Sequence, residues 1–511
     1  MDDRRRCRSL FAVWLLLLAA AAPLAAAQQT QQPAGAPAAA QLPPAGAAAA
    51  AQPPAAGGGG RQYADQLLKR YLSNDELAAW RDEFLTRCSS IARGFSIGKS
   101  ANGIDMWGVE LSEDFSTAGR PNFKYIANMH GDEPSGRMLL PMLAEWLCEN
   151  RGREERATRL LGGTHLWLLP TVNPDGFKIR RRGNAKGTDL NRNFPDPIEL
   201  KGADLRTPRA NAAPETVAIM NFTLGGHFAA SANLHEGAIV ANYPWDGYSD
   251  LDEGERKRKS ASPDDAGFVL MAKEYAAHHA FMAKSKEFPD GITNGAQWYP
   301  VYGGMQDWNY VAAGCMAITL EVSQDKWRAE ADLPSLWEEN RAALLALPLA
   351  AVLGGARGIV TDAATGAPLA ATLTITYPGA PPPPGGPIPF YARPADGLYA
   401  RPLAPGAALL AAAADGYEPW EAEITVPPGG GGVIHNFQLQ PEGRALPGGS
   451  PAAPRRGAGG LEPRKLRASL YILLLHGAVF GAIALASGCP GAALGSAAAR
   501  ARRRSGARFE V

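Results

Sequence analysis

Apolar positions along the middle of the chain fall into two kinds of pattern. Short apolar runs at 124–128, 165–169, 230–234 and 316–322 have the length of buried strands. Between them lie stretches with helical spacing. Pro134 opens one, with Met138, Leu139, Met142, Leu143, Trp146 and Leu147 along one face; 264–283 and 334–347 are others. This alternation over residues 61–353 predicts one large α/β domain, a mixed central sheet flanked by helices. After Gly355 the character changes. Runs at 358–361, 371–376, 422–426 and 433–439 are short and β-type, punctuated by Gly and Pro. Residues 355–441 therefore predict a small all-β sandwich.

The two ends carry apolar runs of another kind. Arg4, Arg5, Arg6 and Arg8 precede a Leu- and Ala-rich stretch that closes on Ala25, Ala26 and Ala27, so residues 1–27 read as a signal peptide. Residues 28–60 are dominated by Ala, Pro, Gln and Gly and read as a disordered spacer. Residues 466–488 hold Leu470, Ile472, Leu473, Leu474, Leu475, Val479, Phe480 and Ile483, and about 20 apolar residues suffice to cross a bilayer. They predict a C-terminal transmembrane helix joined to the body by a linker at 442–465. Arg500, Arg502, Arg503, Arg504 and Arg508 follow, which assigns the tail at 489–511 to the cytoplasm. The expected topology is a single-pass protein whose body lies in the lumen of the secretory pathway or at the cell surface.

Composition adds exclusions. In 511 residues, Lys and Arg (51) nearly cancel Asp and Glu (50), and a net charge of +1 argues against a nucleic-acid binder. Of the five cysteines, Cys7 leaves with the signal peptide and Cys489 abuts the membrane. Cys88, Cys148 and Cys315 allow one disulfide and one free thiol, and the sequence does not choose the pair. Asn221, Phe222 and Thr223 form a glycosylation sequon.

The candidate chemistry starts at His130-Gly-Asp-Glu133, which ends a predicted strand and opens a helix. A His and a Glu three apart at such a junction can both reach one metal ion. His235, at the end of another predicted strand, is placed to be the third ligand. Two His and one Glu leave a zinc position open for water or substrate, the catalytic arrangement. Further on, Arg182 and Arg192 stand among loop-forming residues. One guanidinium can grip a carboxylate in a bidentate fashion and another can stabilise an oxyanion.

The remaining motifs carry a resemblance. Met129-His-Gly-Asp-Glu133, Val172-Asn-Pro-Asp-Gly176, Asp189-Leu-Asn-Arg-Asn-Phe-Pro-Asp196, Asn233-Leu-His235, Ala241-Asn-Tyr-Pro-Trp-Asp246, Gly303-Gly-Met-Gln-Asp307 and Ile318-Thr-Leu-Glu321 occur in that order. Together they resemble the zinc metallocarboxypeptidases, and most closely the regulatory subgroup of carboxypeptidases D, N, E and M. The resemblance spans roughly residues 62–440 and implies a metallocarboxypeptidase-like fold followed by a transthyretin-like sandwich. It implies one Zn2+ per chain on His130, Glu133 and His235, and Glu321 as the general base. Arg182 resembles the oxyanion-stabilising arginine. Asn191 and Arg192 resemble the clamp on the substrate's terminal carboxylate, and Tyr299 the tyrosine that closes over the bound residue. Asp246 and Gln306 match the base of the pocket for the C-terminal side chain, where in this subgroup an acid selects Lys or Arg.

The sequence thus predicts a monomeric zinc carboxypeptidase, bound to the membrane by one span. It would release single C-terminal Arg or Lys residues from peptides and proteins. Two other readings use the same residues: a catalytically weak or inactive carboxypeptidase-like binding protein, and a carboxypeptidase preferring apolar C-terminal residues. Three departures from the subgroup pattern stand close to the metal motif. Glu236 replaces a usual Gly, Asp132 replaces a usual Asn, and Pro134 follows Glu133. Glu236 either adds a charge that repels the substrate carboxylate or points away from it.

Overall fold

The computed structural model describes residues 61–443, apart from 116–118, 201, 249–256, 381–382 and 384–385. The signal peptide, spacer, membrane span and tail expected from the sequence, and nearly all of the linker, lie outside the described residues. No helix among the described residues is long and apolar enough to cross a membrane. Those up to Gln440 form one compact unit.

Eight strands form one mixed sheet. They are β1 (Ala92–Lys99), β2 (Asp105–Leu111), β3 (Asn122–Ala127), β4 (His165–Leu169), β5 (Phe228–His235), β6 (Ala238–Tyr243), β7 (Ile292–Asn294) and β8 (Met316–Ser323), in the order β1-β2-β4-β3-β5-β8-β6-β7. β4, β3, β5 and β8 run parallel in the centre; β1, β2 and β6 pair antiparallel. The central strands β3, β5 and β8 are buried along their whole length, which is why they read as apolar runs rather than alternating ones. The β1–β2 hairpin, by contrast, gave no apolar run to read. β1 is an edge strand with mostly exposed or half-exposed positions.

Helices cover both faces. They are α1 (Asn74–Arg87), α2 (Ser135–Asn150), α3 (Glu155–Gly163), α4 (Pro174–Ile179), α5 (Pro214–Gly226), α6 (Asp265–His278), α7 (Gly295–Trp298), α8 (Met305–Ala313) and α9 (Leu333–Pro348). Side chains alternate across a strand. Phe123, Tyr125 and Ala127 of β3 therefore join a core with α1, α2, α3, α6 and α9, while Ile126 joins a second core with α5 and α8. The expected helix at 264–283 stops at His278. The N–H groups of Phe281 and Met282 donate to His279 Nδ1, so the chain turns there instead of continuing the helix. A disulfide joins Cys88, which caps the end of α1, to Cys148 in α2, and Cys315 is buried and free. Asn221 of the sequon is exposed on α5, but Thr223 is buried and accepts a hydrogen bond from Lys124.

Beyond the sheet, β9 (Ala356–Asp362), β10 (Thr372–Thr376), β11 (Phe390–Tyr391), β12 (Leu398–Arg401), β13 (Gly406–Ala413), β14 (Trp420–Val426), β15 (Val433–Ile434) and β16 (Phe437–Leu439) form two small sheets. β11-β10-β13-β14 faces β12-β9-β15, with β16 alongside β9, and Val360, Leu373, Leu410, Ile424 and Phe437 fill the space between. Arg401 of β12 joins the sandwich to the larger sheet. Its guanidinium is fully buried, donates to Gly314 O at 2.8 Å and pairs with Asp264, which also accepts from Tyr310 at 2.7 Å and Tyr377 at 2.9 Å.

Candidate metal centre and substrate pocket

The central strands end on one side of the sheet, and the predicted residues gather there. The turn after β3 carries His130 and Glu133. Asn128 begins it with a left-handed φ of 54°, and its amide donates to His130 O at 2.9 Å. Gly131 is required here, because a Cβ would stand 2.0 Å from the backbone of Gly176. The Asn173-Pro-Asp-Gly176 motif thus braces this turn, and Asn173 also donates to Met129 O at 3.0 Å.

His235 ends β5, and in the parallel β5–β8 register it stands opposite Glu321. His130, Glu133 and His235 are buried, and their ligand atoms all lie within 4.8 Å of one another. Glu133 Oε2 is 3.1 Å from His130 Nδ1 and 2.8 Å from His235 Nδ1. The opposite ring nitrogens are tied as well. His130 Nε2 lies 3.1 Å from Asp189 Oδ1. The Asn233 amide nitrogen as placed lies 2.5 Å from His235 Nε2, and among the described residues its Oδ1 has no partner. Turned to accept from Nε2–H, that amide leaves the Nδ1 lone pair facing Glu133.

Cations border the triad. Arg182 Nη1 lies 3.1 Å from His130 Nδ1 and 3.5 Å from Glu133 Oε1, and Lys326 Nζ lies 3.1 Å from the same oxygen. Burial alone would raise the Glu133 carboxyl, but the charges and hydrogen bonds of His130 and His235 hold it well below the ordinary range. Glu321 is in the opposite state: burial, and then the Glu133 charge, push its carboxyl well above that range. Its Oε2 has no hydrogen-bond partner.

Asp189 connects the triad to the second group of residues. Its carboxylate accepts from Arg182 Nε and from the N–H of Asn191, both at 2.9 Å, besides contacting His130. Asn191 Oδ1 accepts from the first N–H of α8, Met305, at 2.9 Å, which turns its amide nitrogen outward. Arg192 is held by a bond from Nη1 to Asn191 O at 2.8 Å.

Beside them, Asp246 is 5% exposed. Its Oδ1 accepts from Gln306 at 2.8 Å and from Asn242 at 3.3 Å, and its N–H donates to Asp307 at 2.9 Å. Among the described residues, Gln306 Oε1, Asn242 Oδ1 and Asp307 Oδ1 are buried acceptors with no donor. Burial pushes Asp246 up to about 7, and burial together with the Asp246 charge pushes Asp307 well above the carboxylate range. Tyr299 stands at the rim, 46% exposed, its ring 4.7 Å from that of Trp298. Among the described residues it bonds to neither group, and burial, followed by the Glu321 charge, pushes its hydroxyl above the usual range.

A zinc carboxypeptidase family model matches residues 77–343. The chain belongs to the zinc carboxypeptidase family. It is 45% identical over 311 residues to carboxypeptidase SOL1 of Arabidopsis thaliana, covering 61% of this chain and 62% of that protein. It is 37% identical over 377 residues to carboxypeptidase D of Homo sapiens, covering 70% of this chain and 26% of that protein. It is 35% identical over 436 residues to the carboxypeptidase N catalytic chain of Mus musculus, covering 78% and 92%. This chain therefore spans less than two thirds of the first two relatives.

The donor set fits the family's metal. Two imidazoles and one carboxylate converge, all buried, and each imidazole is oriented by an outer partner. Sequence reasoning quoted Asp189, Asn242 and Asp307 within motifs but gave them no role, and it passed over Lys326. Their decisive contacts, Asp189 with His130, Asp307 with Asp246 and Lys326 with Glu133, are made across the fold, so spacing along the chain carried no signal for them. Of the three departures, Glu236 is buried and bonded to the backbone of other segments, pointing away from the pocket. Asp132 stays half-exposed, and Pro134 holds the N-cap position of α2.

Proposed function

We propose that the protein is a zinc-dependent carboxypeptidase that removes single C-terminal Arg or Lys residues from peptides and proteins. One arrangement carries the reading: a zinc-type triad beside a buried pocket whose spare polar atoms are all oxygens. Such a pocket suits a side chain that brings several N–H donors and a positive charge, and it disfavours apolar or acidic ones.

Zinc held by His130, Glu133 and His235 supplies Lewis acidity and a lowered pKa for bound water. The chain's own groups do the rest. Arg192 and the outward amide of Asn191 grip the terminal carboxylate, and Asp246 with Gln306 receives the side chain. Tyr299 closes over the bound residue. Glu321 accepts at Oε2 the proton of the attacking water, whose oxygen bonds to the scissile carbonyl carbon. Arg182 stabilises the charge that develops on the carbonyl oxygen. Glu321 then delivers the proton to the departing amine as the C–N bond breaks.

We further assign residues 61–353 to the carboxypeptidase domain and 355–441 to a transthyretin-like domain. The chain is read as a monomer entering the secretory pathway through residues 1–27 and held by 466–488, on the support of sequence alone. Removal of a C-terminal tag by protease added to sealed vesicles, with the body protected until lysis, tests that topology.

Release of C-terminal Arg, Lys, Phe and Glu from matched peptides tests the activity, with and without a chelator and beside Glu321→Gln. Chelator-sensitive release of Arg and Lys, lost in the variant, is expected. Release of Phe in preference to both would sink the basic-residue reading, and no release from a zinc-loaded protein would favour a binding role.

A further inference from the structure

Glu236 follows the second histidine of the triad, yet nothing in the proposed reaction uses its side chain. Its backbone N–H donates to Glu133 Oε2 at 3.2 Å. Its carboxylate, 3% exposed, reaches two other segments. Oε1 accepts from the N–H of Ser135, two residues beyond Glu133, and Oε2 accepts from the N–H of Trp327 at 2.8 Å. The neighbour of Trp327 is Lys326, whose Nζ lies against Glu133 Oε1. Residue 236 therefore closes a ring around Glu133, joining the end of β5, the start of α2 and the loop after β8.

The loop needs that anchor. Trp327 has a φ of 56°, a conformation a bulky residue adopts only where its surroundings impose it. Phe177 stacks on its ring at 5.2 Å, and the Arg180 guanidinium lies 4.5 Å from it. Stacking fixes the ring, but the backbone N–H is held by Glu236. Among side chains of this length only a carboxylate offers an acceptor oxygen to each of two separate N–H groups. A glutamine satisfies one and turns its own N–H2 toward the other.

We propose that Glu236 is a positioning residue of the metal centre, fixing Glu133 and the Lys326–Trp327 turn in the arrangement that receives zinc. The proposal rests on His130, Glu133 and His235 being the zinc ligands. Outer partners that orient metal ligands typically change metal affinity by about 10–100-fold when removed.

The test is zinc affinity of the full chain by chelator competition, for wild type, Glu236→Gln and Glu236→Gly. The visible spectrum of the cobalt-substituted proteins and the melting of the zinc-free proteins are measured alongside. Glu236→Gly is expected to bind zinc about 10–100-fold more weakly, with an altered cobalt spectrum, and Glu236→Gln to fall between. Turnover of a C-terminal Arg peptide should follow in kcat more than in KM. Unchanged zinc affinity with a lowered melting point would make Glu236 a strut for the fold and overturn the proposal. Unchanged affinity with faster Arg release from Glu236→Gly would make it a charge facing the substrate, and would also overturn it. If Glu236→Gly does not fold, Glu236→Gln decides by the same readouts. A wild-type chain that binds no zinc would instead sink the reading of the triad.

Discussion

The triad and the pocket each bury carboxylates, but in opposite company. Glu133 faces two imidazoles, Arg182 and Lys326, and is held charged before any metal arrives. Asp246 faces a second carboxyl group and two amides, with no cation bonded to it among the described residues, and burial raises it to about 7. The fold has already compensated the first charge and has left the second for a ligand to compensate. A metal centre must be ready before substrate comes. A selective pocket gains by waiting, because only a cationic side chain then relieves it.

The sharpest break is on the metal side. Glu321→Gln keeps the shape but loses the base, and kcat should fall by on the order of 10²–10⁴-fold for every C-terminal residue, with zinc content unchanged. Asp246→Asn acts on the pocket alone. It should lower kcat/KM for C-terminal Arg by about 10²-fold while release of a C-terminal Phe stays level or rises; equal losses for both would erase the distinction. Gly295→Ala is a subtler version, since its Cβ would stand 1.9 Å from Asp246 Oδ1 and push the carboxylate aside. A loss of about tenfold, confined to basic residues, is expected from peptide kinetics.

The smallest effect is in pH. Asp246 must lose its proton to pair with a cation, so kcat/KM for C-terminal Arg should fall as pH drops below about 7. That limb should be absent in Asp246→Asn and with a neutral C-terminal residue. For folding the sign is reversed. A carboxyl whose pKa is raised in the folded state contributes stability at acid pH, and this is lost as pH rises through about 7. A melting series over pH with and without free arginine would show the ligand restoring it.

The central strands were legible because burial on both faces makes them continuous apolar runs, and the ligands because each stands where such a run ends. The edge strand β1 was not, since an exposed edge needs no apolar pattern. Cys88 and Cys148 could not be told from Cys315 until α1 and α2 were brought side by side. Asp189 hid for a related reason. Asn191 and Arg182 are its neighbours along the chain, but His130 reaches it only when the loop folds back over the turn after β3. Glu236 stood in plain view with two opposite readings, and only its backbone partners chose between them.

Arg401 carries a consequence for inheritance. With its guanidinium lodged against Asp264 at the start of α6, the sandwich supplies the cation of a buried pair. A gene that lost its last third would strip that carboxylate of Arg401 and Tyr377 and leave it Tyr310, and breaking a buried pair costs about 3–5 kcal/mol. Selection on the catalytic half therefore reaches into the other. The two halves share this pair, and an engineer who wants the one must keep the other or redesign the seam.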